Sequence, residues 1–208
     1  TELRDIISTV HDHHPQVLMR FGLVVYRDEG DDYVVNAFEF TDSLNRMQIQ
    51  LSEQHAQGGG DYPEAMEQAL ATALSAQWQI QPSVSRLLFL VADAPPHDAD
   101  LVTMINQIKQ ARQKSIHIYP LAASGVAETA EWILRLAALL TQGRYLFLTD
   151  DSGIGYAHQQ PQIPCYQVTH LDELMARVIA SELAGKRLEA EPSAIIRTVG
   201  DYQAGKCQ

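Results

Sequence analysis

What the chain has little of narrows its roles first. Basic residues are scarce: 15 lysines and arginines stand against 26 aspartates and glutamates in 208 residues, a formal charge of −11. Such a field repels phosphate backbones and anionic lipid headgroups, so nucleic acid and membrane surfaces are poor partner expectations. Long apolar runs are missing as well. None approaches the roughly 18 residues of a spanning helix, and the N-terminal stretch lacks the basic-then-apolar layout of a signal peptide. The chain as given therefore reads as soluble, without membrane insertion, although a removed signal would leave no trace. Only two cysteines are present, Cys165 and Cys207, too few for a disulfide framework and without zinc-ligand spacing. Two reduced thiols is the plainer reading; a single bridge closing an ordinary loop is the alternative, and geometry alone decides it.

Catalytic signatures are also lacking. There is no G-x-S-x-G elbow, no H-E-x-x-H, no dinucleotide glycine fingerprint after a first strand, and neither cysteine has a histidine partner in its local sequence. An enzyme is not excluded by this, but it is left without a named nucleophile or base.

What is there suits one globular domain with a modest appendage: 46% of residues are hydrophobic and 20% charged, enough for a sizeable core. Leu3, Ile6, Ile7 and Val10 lie on one helical stripe near the N-terminus. The run 17–26 is nearly continuous and apolar, as a strand covered on both faces requires, and 33–40 suits a neighbouring edge strand beyond the acidic turn 27–32. A helix is expected over 43–55, capped by Asp42 or Ser43. A glycine loop at 58–60 then leads into an Ala-rich helix ending near Gln77. From Ser85 the order is strand 85–92, helix 99–114, strand 116–121, helix 127–142, strand 145–148, loop 149–167 and helix 171–183. That alternation argues for an α/β fold with a mostly parallel sheet and right-handed crossovers. The expected division is a domain over 1–184 and a tail over 185–208, with 192–208 extended and 195–199 able to add a short strand.

In such a sheet ligands bind beyond the carboxyl ends of the strands, which is where Asp93 falls, directly after 85–92 and before a Pro95-Pro96 stop. The loop Gly58-Gly59-Gly60-Asp61 is the second candidate, since glycines let backbone approach a ligand. Its acids argue against phosphate and for a hard cation: Asp61 and Asp93, from separate loops, could hold Mg²⁺ directly or through water. The plain structural readings stand beside this. Asp61 with Glu64 is the spacing of a capping box. Asp93 could start a turn. Asp31 and Asp32 suit a solvated hairpin turn, and Asp150 to Ser152 with Gly153 and Gly155 a polar one. The His11, Asp12, His13, His14 cluster reads as a frayed helix end before Pro15 rather than a metal tract, and His97 and His158 have no fixed partner in sequence.

Taken together, FGLVVYRDEGDDYVV at 21–35, GGGDYPEAMEQAL at 58–70, RLLFLVADAPPHD at 86–98, IYPLAASG at 118–125 and YLFLTDDSGIGYAH at 145–158 resemble the von Willebrand factor A (VWA) domains. The resemblance is to a bacterial group also similar to the VWA module of some atypical kinases. It implies a Rossmann-like three-layer fold and a non-catalytic adhesion or scaffold role. In the family a metal ion-dependent adhesion site (MIDAS) uses a D-x-[ST]-x-S loop after the first strand, a Thr or Asp on a second loop and an Asp after the fourth strand. Asp61 matches the second of these positions and Asp93 the third. A partner carboxylate then fills the open position, so the Mg²⁺ or Mn²⁺ ion bridges two acidic surfaces.

The sequence departs from the family in lacking the first strand and its hydroxyl loop. In the order 3-2-1-4-5-6 that strand lies between 17–26 and 85–92, and its absence would leave two rows of backbone groups unpaired. Upstream residues, a strand from another chain, or the tail around 195–199 could fill the place, the first being the favoured account. The expected function is a protein-binding module whose ligand presents an acidic residue, with metal binding weak or absent in the chain as given. The alternatives are a metal-dependent hydrolase or phosphotransferase using Asp61, Asp93 and His97, and a purely structural α/β module. Bacterial relatives are often exported, which points to a periplasmic or cell-surface location.

Overall fold

The computed structural model describes residues 2–55, 62–123, 126, 128–152, 161, 163–203 and 205–208. Backbone contacts group the chain into two units, Leu18–Leu146 and Thr1–Val17 with Phe147–Gln208.

In the first unit, β1 (Phe21–Tyr26) and β2 (Val35–Thr41) form an antiparallel pair, in register from Leu23↔Phe38 to Tyr26↔Val35. The expected start at residue 17 moves to Phe21. The ladder with β2 begins there, and Leu18 is almost wholly exposed. Helix α2 (Leu44–Ser52) opens at Ser43, whose Oγ accepts the Arg46 amide at 3.3 Å, the cap its sequence promised. Helix α3 (Met66–Ser75) begins two residues after Glu64, with Ala65 at the N-cap. The Asp61–Glu64 pair is therefore not a capping box, because the helix it would cap starts too late.

Strands β3 (Arg86–Ala92) and β4 (Ile116–Ala122) are parallel and fully in register, Arg86↔Ile116 through Ala92↔Ala122. The short β5 (Leu146–Phe147) completes the order β3-β4-β5. Helices α4 (Leu101–Gln113), entered through a single 3₁₀ turn at Asp98–Asp100, and α5 (Glu128–Thr141) are the crossovers. They close the core over β4, where Met104, Ile108, Ile116, Ile118, Ile133 and Leu134 have no solvent exposure. Two features at the end of α5 and just beyond it seal β4. Thr141 Oγ1 accepts the Ile118 amide at 2.9 Å and donates to the Ala137 carbonyl at 2.7 Å. A Cβ at Gly143 would stand 1.8 Å from the Ile118 carbonyl oxygen, so only glycine allows that approach.

The two sheets remain separate. Among the described residues β1 pairs with β2 alone, and β3 has a ladder with β4 alone. Between the two sheets, the Tyr26 hydroxyl donates to the Val91 carbonyl at 3.3 Å.

In the second unit, α1 (Glu2–His13) packs with α6 (Leu171–Ala184), which Gly185 ends in the left-handed conformation at φ 62°. The short strand expected within 195–199 forms, whereas 149–167 as loop and the rest of 192–208 as extended tail need correcting. Strand β6 (Tyr166–Val168) pairs antiparallel with β7 (Arg197–Val199), and β8 (Tyr202–Gln203) forms a hairpin with β9 (Lys206–Cys207). Among the described residues β7 is thus paired with β6. The cysteines are not reduced: Cys165 and Cys207 are joined, with Cα atoms 5.5 Å apart. A three-residue ladder and a two-residue hairpin fold too little apolar surface to hold themselves, and the bridge compensates by restricting the unfolded chain.

Candidate functional site

The loops at the carboxyl ends of β1 and β3 and the approach to α3 form one rim of the Leu18–Leu146 unit. Three contacts fix it. His97 Nε2 donates to Asp28 Oδ1 at 2.6 Å, tying the β3–α4 loop to the turn after β1. Tyr62 Oη donates to the Asp93 carbonyl at 3.1 Å, and the Glu64 amide donates to the Pro95 carbonyl at 2.9 Å. The chain before α3 is thereby held against the β3–α4 loop, whose Ala94, Pro95 and Pro96 are buried. Burying that segment removes its freedom, so the neighbouring polar groups keep their positions.

Asp93 stands at the edge of this rim and is exposed. Asp61 and Gly58 to Gly60 lie outside the described residues. Tyr62, the first described residue after that loop, bonds the Asp93 backbone carbonyl. Among the described residues no three His, Cys, Asp or Glu side chains converge into a metal cage. Mg²⁺ takes about six oxygens, and of the two ligands expected from the sequence only Asp93 lies among the described residues.

Acid is concentrated around the rim, and it acts on its neighbours. Burial pushes the Tyr26 hydroxyl well above its ordinary range, and the charges of Asp93 and Glu64 push it further. The Glu67 carboxyl, on α3 beneath the rim, is also raised. Burial is the main cause and Asp100 adds to it, while Glu67's own backbone amide, Gln68 and His97 pull it back. Glu67 is 4% exposed, and its Oε2 has no hydrogen-bond partner among the described residues. Beside the rim lies a cavity of about 510 Å³, lined by Tyr62, Pro63, Pro95, Pro96, His97, Asp98, Ala99 and Thr129.

Sequence reasoning named Asp93 and His97 and missed Asp28 and Glu67. Asp28 sat in a stretch that reads as a solvated acidic turn, and its partner is 69 positions away. Glu67 stood only as one letter of the 58–70 stretch, with no role assigned to it. The only signal was its place two positions before Ala69 and three before Leu70, on the buried side of α3.

Comparison with known proteins bears on the whole fold. The von Willebrand factor A domain family model matches residues 1–142. The crystal structure of conserved hypothetical protein BatB from Bacteroides thetaiotaomicron is similar with a TM-score of 0.57 at 14% identity, covering 89% of this chain and 88% of that one. No curated protein matches significantly. VWA domains are generally non-catalytic modules that mediate protein interactions, and they often bind Mg²⁺ at a MIDAS. The family model covers well over half of the chain, which therefore belongs to the von Willebrand factor A domain family.

Proposed function

We propose that the chain is a protein-binding module whose partner docks on the rim formed by the turn after β1, residues 62–64 and the β3–α4 loop. The observation that carries this reading is the exposed Asp93, held at the end of β3 by loops that are already tied together. A pre-fixed rim spares a partner the ordering cost of mobile loops. The metal belongs to the same proposal: Asp61 and Asp93 would each give a carboxylate to Mg²⁺ or Mn²⁺, and an acidic residue of the partner would complete the set. Two carboxylates are too few to compete with hydration, so this chain by itself binds the ion weakly until a hydroxyl-bearing loop adds its oxygens. The disulfide supports an oxidising compartment, hence the periplasm or cell surface.

The test is cross-linking of the purified chain in an extract of its source cells, compared with Asp93→Ala and with Glu39→Gln, an exposed acid on β2. The expected result is one set of partners recovered by the native chain and the Glu39 variant and reduced about tenfold or more by Asp93→Ala. Equal recovery by all three would sink the reading. Calorimetry with Mn²⁺ alone checks the metal part, with a dissociation constant expected at about 1 mM or weaker. A micromolar constant abolished by Asp93→Ala would mean that the ligands are already sufficient.

A further inference from the structure

We infer that the cavity beside the rim is a seat for an arginine side chain presented by the partner. The inference rests on the protein-binding reading above and not on the metal. Its walls are flat and apolar: the ring of Tyr62, the pyrrolidines of Pro63, Pro95 and Pro96, and Ala99. Pro95 and Pro96 are buried, while Tyr62 is 45% exposed and is oriented by its bond to the Asp93 carbonyl. At about 510 Å³ the volume is that of a small-ligand site.

The charge of the lining selects the occupant. Asp98 contributes an exposed carboxylate and Thr129 a hydroxyl, and among the described residues that line the cavity there is no lysine or arginine. The one basic group, His97, is already bonded to Asp28. Asp93 and Asp100 stand one turn of loop to either side, and the chain carries a net charge of −11, so the field at the cavity favours a cation. Of the two common cationic side chains, guanidinium suits these walls better. It is planar and weakly hydrated, stacks on an aromatic face and pairs with a carboxylate at its edge. An ammonium would surrender more hydration to enter an apolar slot and could not stack.

The test uses the full chain in EDTA with N-acetyl-arginine methylamide, followed by amide chemical-shift changes. The citrulline and lysine analogues serve as comparisons. Saturable shifts should cluster at residues 62–64 and 95–99 with a dissociation constant of about 1–10 mM, and the citrulline analogue, which keeps the shape and loses the charge, should bind about fivefold or more weakly. Asp98→Asn and Tyr62→Leu should each weaken the arginine analogue about threefold or more, and Glu39→Gln should leave it unchanged. Equal binding of arginine and citrulline analogues, a lysine analogue as tight as arginine, or no effect of Asp98→Asn would each overturn the assignment. Because the probe is small and the metal is chelated, such a failure leaves the partner cross-linking result standing and is distinguishable from it.

Discussion

Strand β4 and strands β1 and β3 have similar sequences and different surroundings. Ile116 to Ala122 is paired to β3 along its whole length and sealed on its other side by β5, Thr141 and Gly143, and every one of its residues except His117 is buried. Phe21 to Tyr26 is as apolar, yet none of its residues is fully buried, and Val91 of β3 is 52% exposed. Composition is therefore not what buries a strand. Coverage of both edges is, and β1 and β3 each have one edge without a ladder among the described residues.

The largest effect that tests this contrast compares the same deletion at two sites. Leu121→Ala on β4 empties a fully enclosed site and should cost about 3–4 kcal/mol, whereas Leu23→Ala on half-buried β1 should cost about half as much. Urea unfolding followed by tryptophan fluorescence measures both. If Leu23→Ala proved as costly as Leu121→Ala, the β1 edge would be covered in solution and the contrast would fail.

A smaller effect isolates what seals β4. Thr141 does for Ile118 what a neighbouring strand does elsewhere, by giving its amide an acceptor. Thr141→Val keeps the shape and removes the acceptor, leaving a buried N–H unpaired, and should cost about 1–3 kcal/mol. Hydrogen exchange at Ile118 should accelerate by more than at its neighbours. A uniform change along β4 would mean that the hydroxyl only fills space.

Much of this architecture was legible because its signals are local. Apolar runs ending in Pro95-Pro96, the Ser43 cap and the Gly185 stop each act within a few residues, so the parallel β3–β4 pair and the crossover helices could be read directly. The position of Asp93 directly after β3 was likewise local. The remainder depended on pairings between distant positions. Asp28 meets His97, β6 finds β7, and Cys165 joins Cys207 across 42 positions, none of which any local pattern encodes. Strand β6 is three residues long, too short for periodicity to register, and its partner lies in a stretch whose composition reads as tail.

The smallest effect concerns the half-covered side itself, since α3, which carries Glu67, packs on β1 and β2. Because the folded state raises the Glu67 pKa, it binds that proton more tightly than the unfolded chain does. Stability from this group is therefore greatest below the ordinary carboxylate value of about 4.3 and declines as pH rises through it towards the folded value. Above both, a constant penalty remains. Glu67→Gln removes the charge and most of the penalty, so it should melt higher than the native chain at pH 7 and lose that advantage near pH 4. Melting curves of both proteins across this range decide the matter. A variant that melts lower at pH 7 would show that the charged carboxylate is held by a favourable partner, and the region beneath the rim would then be as well satisfied as the core around β4.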